Sequence, residues 1–199
     1  MPLGASGRRA YSRVFREDDG EVARMRTFIA LELPDLFEDE VASLARQLSN
    51  AVAGRFMRRE TYHVTLAFLG DVDEMGARAA MAALDAACAG AAPVELAPEG
   101  LGTFGRPRDA TLWLGLRPTP ELTGLAEAVR TQLDARGCSY DRKAFRPHIT
   151  LARRARLPEG ALPGLAFPLP ATARRVTLFK STLTQEGARY KPLHTVELG

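Results

Sequence analysis

Two nearly identical segments, HVTLA at residues 63–67 and HITLA at residues 148–152, lie eighty-five positions apart in this chain of 199 residues. The chain contains only three histidines, and two of them open these segments. A basic stretch that carries an aromatic residue precedes each segment, RFMRRETY before the first and SYDRKAFRP before the second. The repetition indicates two related halves, and approximate two-fold symmetry between them would place the two segments side by side.

Each segment reads as a β-strand with one polar and one apolar face. Because side chains alternate along a strand, His63 and Thr65 share one face, and so do His148 and Thr150. If the two strands are neighbours, two imidazoles and two hydroxyls converge in one small space. On strict alternation Arg153 points away from that face, so its reach to the same space depends on where the second strand ends.

The pattern outside the segments alternates between strands and helices and predicts an α+β or mixed α/β protein. Apolar residues at helical spacing follow Pro34, and the Ala-rich helix before Gly90 and the helix before Gly137 each end at a residue that favours helix termination. Strands are predicted at 27–33, 62–69, 110–116 and 148–152, helices at about 35–52, 74–89 and 120–135, a loop at 157–170, and a terminal hairpin from 176–183 and 190–198.

Length and composition fit a globular protein without disulfides or membrane spans. Hydrophobic residues make up 46% of the chain and charged residues 26%, and no apolar run approaches the ~20 residues that cross a bilayer. Cys88 and Cys138 show neither metal spacing nor a redox pair, so we expect reduced thiols in a cytoplasmic protein. Residues 1–25 lack a sustained hydrophobic period, and we expect a flexible N-terminal extension followed by a single domain at 26–199.

Two histidines with neighbouring hydroxyls suit phosphodiester chemistry. In-line attack on phosphorus needs a base for the nucleophile and an acid for the departing oxygen, and imidazole can fill either role near neutral pH. Threonine hydroxyls can donate hydrogen bonds to the non-bridging phosphate oxygens. This scheme requires no metal and no cofactor.

The pair HVTLAFLG and RPHITLAR, with motifs at 63–66 and 148–151, resembles the two signature motifs of the 2H phosphoesterases, specifically the RNA 2',3'-cyclic phosphodiesterases also called 2'-5' RNA ligases. The opening RTFIALELP, the middle GLGTFGRPRDATLWLGL and the closing VTLFKSTLTQEGARYKPLHTVEL are similar to that family as well. The resemblance implies a bilobal α+β fold, with two pseudo-symmetric lobes of antiparallel sheet, helices outside and a central groove.

The resemblance also implies roles for individual residues. His63 is the expected proton donor and His148 the expected proton acceptor, while Thr65 and Thr150 bind substrate, with Arg153 as a further candidate. The implied reaction opens an RNA-terminal 2',3'-cyclic phosphate to a 2'-phosphomonoester, and its reverse chemistry would join 2'-5' ends. The expected partners are RNA ends, with no membrane, and the expected state is a monomer.

Three other interpretations remain open from the sequence. The substrate could be another small cyclic or 2'-5' nucleotide, or the segments could hold phosphate without turnover in an RNA- or nucleotide-binding module. A third makes His194 join the other two histidines as zinc ligands, although no Asp, Glu or Cys lies at a recognisable ligand spacing. The weaker candidates for RNA contacts are Arg58, Arg59, Arg142, Lys143 and Arg146 as a basic rim, and Tyr62 and Phe145 as stacking surfaces.

Overall fold

A computed structural model describes residues 24–160, 162, 164–185 and 187–199. The strands in this part of the chain are β1 (Met25–Glu32), β2 (Ala53–Phe56), β3 (His63–Val72), β4 (Val94–Leu96), β5 (Pro98–Arg106), β6 (Asp109–Leu116), β7 (His148–Arg156), β8 (Ala171–Ala173), β9 (Arg175–Thr184) and β10 (Gly187–Glu197). The α-helices are α1 (Asp35–Ser49), α2 (Glu74–Cys88) and α3 (Pro120–Asp134), and a turn of 3-10 helix covers Arg59–Thr61. Most of the predicted extension at 1–25 lies outside the described residues, and Met25 is the buried first residue of β1.

The three predicted helices are confirmed, and their first residues follow the local chemistry. Asp73 caps α2 by accepting a hydrogen bond from the backbone N–H of Gly76 at 2.7 Å. Thr119 caps α3 by accepting from the N–H of Leu122, and Pro120 occupies the first turn, where no backbone donor is needed. Each helix buries one apolar stripe and exposes the opposite face.

Two four-stranded antiparallel sheets form the framework of the protein. The first has the order β10-β9-β1-β3 and the second the order β2-β7-β6-β5, while β4 and β8 form a separate pair. The α+β class with antiparallel sheets is therefore confirmed. The pattern missed β2, β4, β5 and β8, because these strands are short or carry glycine and proline in place of a clear alternation.

The repeat seen in the segments extends to whole elements. β1, α1 and β3 correspond in order to β6, α3 and β7, and α1 and α3 are both fifteen residues long and lie eighty-five positions apart. Buried residues from both halves form one continuous core. The terminal strands β9 and β10 return to the first sheet, so that β1 lies between β3 and β9.

Three further features of the described residues concern membrane spans, the cysteines and the loop after β7. None of the helices among them is long and apolar enough to cross a membrane. The two cysteines are unpaired, as predicted. The predicted loop after β7 is tied to α1, because the backbone N–H of Ala166 donates to Gln47 and that of Leu169 donates to Glu40.

Candidate active site

The five residues predicted from the sequence come together in one cavity. His63, Thr65, His148, Thr150 and Arg153 all line a cavity of about 360 Å³ between the two sheets. β3 forms the edge of the first sheet and runs beside β7 of the second. The neighbouring strands inferred from the repeat are thus present, and each half contributes one histidine and one threonine.

Both imidazoles are held in the same way by the backbone two residues earlier. The Nδ1–H of His63 donates to the carbonyl oxygen of Thr61 at 2.8 Å, and the Nδ1–H of His148 donates to the carbonyl of Arg146 at 2.6 Å. A carbonyl oxygen can only accept, so each neutral ring carries its proton on Nδ1 and leaves Nε2 unprotonated. The Nε2 of His63 lies 3.0 Å from the hydroxyl of Thr65, which can donate to it.

Aromatic rings enclose each histidine. The ring centroids of Phe28 and Tyr190 lie 4.8 and 5.3 Å from that of His63, and those of Phe104 and Trp113 lie 5.1 and 5.9 Å from that of His148. These rings exclude water, and removal from water disfavours the charged form of imidazole.

The enclosure lowers the pKa of both histidines. The pKa of His63 is lowered to about 4, mainly by burial and to a smaller extent by the nearby His148 and Arg153, while the hydrogen bond to the Thr61 carbonyl opposes this change. Burial likewise lowers the pKa of His148, with a smaller contribution from the guanidinium of Arg153. Both rings are therefore neutral at neutral pH.

A β-bulge in the second segment explains why Arg153 faces the cavity. The pairing of β7 with β6 passes from Ala152 to Thr150 and skips Leu151, and both Leu151 and Ala152 are buried. This extra residue resets the alternation, so that Arg153 joins the face of His148 and Thr150. Strict alternation along the strand therefore does not hold at Arg153, which lines the cavity as a candidate substrate-binding residue.

The first segment carries the same bulge. The pairing of β3 with β1 skips Leu66, and the residue that then turns toward the cavity is Phe68, at the position equivalent to Arg153. The guanidinium of Arg26 lies 4.7 Å from the centre of the Phe68 ring. At this equivalent position the first half therefore has an aromatic ring and the second half has a cation.

Several weaker candidates lie outside the cavity. Tyr62 is only 5% exposed, and its hydroxyl donates to the carbonyl of Met57, so it is a core residue and not a stacking surface. The Nε2 of His194 lies 2.6 Å from a carboxylate oxygen of Asp85 and joins β10 to α2. His194 therefore does not converge with the other histidines, and the described residues include no group of three or more metal-ligating side chains.

Four of the five predicted rim cations have acidic partners, and the first of them, Arg58, pairs with Glu60. Arg59 forms ion pairs with Glu38 and Asp39. Arg142 pairs with Asp134, and Lys143 pairs with Asp141. Their charges are largely compensated, so the sequence overstated the basic character of this rim.

An aromatic compartment adjoins the cavity on the side of Phe68. It has a volume of about 560 Å³, and shares Thr65, Phe68 and His148 with the cavity. Phe104 and Phe145 line it, and the Arg130 guanidinium lies 5.8 Å from the centre of the Phe145 ring. Flat apolar walls with a cation suit a nucleobase, because bases stack on aromatic faces.

The position of Trp113 beneath His148 depends on a glycine opposite it, which gives a testable prediction. A Cβ atom at Gly102 would lie 2.1 Å from two ring carbons of Trp113. We expect Gly102→Ala to lower the free energy of unfolding by ~1–3 kcal/mol, as overpacked cores do, and to shift the emission of this single tryptophan. Urea denaturation followed by fluorescence measures both effects.

The matched control is Gly124→Ala in α3, where a Cβ meets open space. This change should raise the free energy of unfolding by ~0.5–1 kcal/mol, because alanine restricts the unfolded chain more than glycine does. Equal stability of the two variants would contradict the tight contact with Trp113.

Known proteins are similar to this chain in sequence over most of its length. The family model described as the 2'-5' RNA ligase superfamily matches residues 20–185. The RNA 2',3'-cyclic phosphodiesterase of Thermotoga maritima is 31% identical over 176 residues, which cover 85% of this chain and 94% of that protein. The protein of the same name from Escherichia coli K12 is 31% identical over 169 residues, which cover 84% and 93%.

Solved structures share the fold. Escherichia coli LigT in complex with 3'-AMP superimposes with a TM-score of 0.74 at 28% identity, over 88% of this chain and 99% of that one. TT0787 of Thermus thermophilus also gives a TM-score of 0.74, at 26% identity and over 87% and 98% of the two chains. An antiparallel fold of this kind, with one histidine from each repeat in a shared cavity, is that of the two-histidine phosphoesterases. Within that class the chain belongs to the 2'-5' RNA ligase superfamily.

Proposed function

We propose that this protein hydrolyses the 2',3'-cyclic phosphate at an RNA end to a 2'-phosphomonoester. The observation that carries the proposal is the convergence of His63, Thr65, His148, Thr150 and Arg153 on one cavity, with both histidines presenting Nε2. Relatives about 30% identical that bear the name RNA 2',3'-cyclic phosphodiesterase support the substrate class.

In the proposed mechanism each histidine moves one proton. Nε2 of His148 takes a proton from a water molecule, whose oxygen attacks phosphorus. The bond between phosphorus and the 3' oxygen breaks, and Nε2–H of His63 protonates that oxygen, leaving a 3'-hydroxyl and a 2'-phosphate. The hydroxyls of Thr65 and Thr150 and the guanidinium of Arg153 hold the charge that develops on the non-bridging oxygens.

The same arrangement supports ligation with a different nucleophile. A 5'-hydroxyl of a second RNA in place of water would form a 2'-5' phosphodiester by the same two proton transfers. We further propose a monomer in the cytoplasm, and the unpaired thiols of Cys88 and Cys138 support the location.

The experiment that tests this function uses a short oligonucleotide that ends in 2',3'-cyclic phosphate, with excess chelator present. Phosphorus NMR of the product distinguishes the 2'- from the 3'-phosphomonoester, and we expect only the 2' product. A 3' product would reverse the assignment of the leaving oxygen. Activity that the chelator abolishes and zinc restores would overturn the metal-independent mechanism.

The lowered histidine pKa values predict how the rate depends on pH. The productive form has a proton on Nε2 of His63 and none on Nε2 of His148, and kcat/KM reports the pKa values of the two rings in the free enzyme. Because burial lowers both below the ordinary 6.5, kcat/KM should peak below pH 6.5 and fall as the pH rises further. A bound phosphate anion favours imidazolium, so the optimum of kcat should lie at higher pH.

Rate profiles under saturating and limiting substrate measure this difference. The control is the stability of the fold, which circular dichroism follows across the same pH range. Coincident profiles for kcat and kcat/KM, both with optima above pH 7, would contradict the neutral state of the empty site.

A further inference from the structure

A second compartment, narrow and rich in arginine, adjoins the cavity on the side opposite the aromatic compartment. Its volume is about 210 Å³, and it is continuous with the cavity because the two share Arg153, Thr61 and Leu183. Four arginines line it, namely Arg55, Arg58, Arg153 and Arg154. We refer to these four residues and the space between them as the arginine compartment.

The charge of the arginine compartment is only partly compensated. Arg58 pairs with Glu60 at 3.1 Å. By contrast, Arg55, Arg153 and Arg154 form no ion pair with any residue that the structure describes, and no described lining residue is acidic. The compartment therefore differs from the rim formed by Arg59, Arg142 and Lys143, and it suits an anion.

Backbone strain lies at the same place. Arg154 has a φ of 51°, and it is the only residue other than glycine with a positive φ in the described chain. This conformation is unfavourable for a residue with a Cβ, and such strain persists where surrounding structure imposes it, commonly at functional sites. Here it follows directly after the bulge that turns Arg153 toward the cavity, so two consecutive arginines line the arginine compartment.

The hairpin of β9 and β10 forms the opposite wall. The side chain of Arg58 donates to the carbonyl of Ala188 at 3.4 Å. Gly187 allows the close approach of Arg55, because a Cβ there would lie 2.7 Å from its guanidinium nitrogen. Leu183 is 76% exposed at the mouth and offers apolar surface next to the cations.

We propose that the arginine compartment binds the phosphodiester that joins the terminal nucleotide of the RNA to the one before it. This inference rests on the proposed function, since it takes the reacting cyclic phosphate to occupy the cavity. The base of the terminal nucleotide then occupies the aromatic compartment, and its 5' phosphate extends toward Arg153 and Arg154. Arg153 lies between the two phosphates because it lines both spaces. The consequence is a preference for an RNA chain over a single nucleotide.

The test compares three substrates with the same terminal nucleotide. They are a nucleoside 2',3'-cyclic phosphate, the dinucleotide that carries one additional linkage, and that dinucleotide with an uncharged methylphosphonate linkage. Charge-assisted hydrogen bonds predict a kcat/KM roughly tenfold or more higher for the charged dinucleotide than for the mononucleotide. The uncharged dinucleotide should lose most of this advantage. Equal kcat/KM for the two dinucleotides would overturn the proposal.

Two variants test whether the preference for the dinucleotide comes from the arginine compartment. Arg154→Gly removes the guanidinium and fits the positive φ, so the variant should fold at least as well as the parent protein. We expect Arg154→Gly and Arg55→Ala each to lower the ratio of dinucleotide to mononucleotide kcat/KM severalfold. The matched control is Arg117→Ala, an exposed arginine after β6 that lines neither compartment, and its ratio should equal that of the parent protein. Unchanged ratios in both test variants would overturn the assignment.

A binding measurement separates this inference from the proposed function. If neither cyclic phosphate is hydrolysed, the proposed function fails. Calorimetric Kd values for the nucleoside 2'-phosphate and for the dinucleotide that ends in 2'-phosphate then still test whether the arginine compartment binds the additional phosphodiester. Tighter binding of the dinucleotide that Arg154→Gly abolishes supports the arginine compartment, and equal binding of the two ligands overturns it.

Discussion

Replacing either His63 or His148 with alanine should lower kcat/KM for the RNA-terminal cyclic phosphate by ~10²-fold or more. Each variant removes a proton carrier whose Nε2 faces the cavity, while water can take over the hydrogen bond to the carbonyl that held its Nδ1. Thr65→Ala and Thr150→Ala should lose less, because each removes a hydrogen bond to the phosphate and leaves both proton carriers in place. Steady-state kinetics on the oligonucleotide in chelator measures all four variants.

The double variant and the third histidine provide the controls. An acid and a base that act on one transition state form a unit, so the double alanine variant should be little slower than either single variant. His194→Gln should keep near-normal kcat/KM, because His194 lies on β10 and contacts Asp85 of α2 away from the cavity. Near-normal turnover by His63→Ala or His148→Ala would refute the assignment of acid and base.

Arg153→Ala should produce the second large effect, a loss of ~10²- to 10³-fold in kcat, which is typical when a donor to developing charge is removed. The same variant should also change the pKa values of the two histidines. Arg153 lowers the pKa of both His63 and His148, so its removal should raise both values. Proton NMR of the imidazole signals in the free enzyme measures the direction of these changes.

Arg153→Lys separates the charge of this residue from its geometry. Lysine keeps the positive charge, so both histidine pKa values should stay low, but it lacks the planar fork that contacts two phosphate oxygens. We expect an intermediate kcat for this variant. If Arg153→Ala leaves both the rate and the pKa values unchanged, Arg153 does not act in the cavity.

Much of the fold could be predicted because the local signals agree with the tertiary structure. The helix that begins at Pro120 has a cap, a proline in its first turn and an apolar stripe, and each signal is local. By contrast, β5 spans Pro98–Arg106 and contains three glycines within its paired region, so it carries no strand pattern. Its pairing with β6 depends on the neighbouring strand and on the flat ring of Trp113 opposite Gly102.

The candidate site was predictable to the extent that it lies within the repeated segments. His63 and His148 could be found because the repeat is visible in a chain with few histidines. The orientation of Arg153 could not be predicted, because the bulge changes the side-chain alternation and the residues around it carry no sequence pattern that indicates a bulge. Tyr190 was also missed, since it reaches His63 only through the pairing of β10 with β9 in the tertiary structure.

The order of strands in the first sheet has a consequence for the protein as it leaves the ribosome. β1 is synthesised before its neighbour β9, and about 150 residues of chain separate the paired residues, so that Phe28 meets Phe179 only after β9 has been made. Until then β1 has an open edge, and contacts so distant in sequence form slowly. Tyr190 emerges later still, and its ring encloses His63. The nascent chain therefore carries His63 well before the strand that brings Tyr190 against its ring has been made.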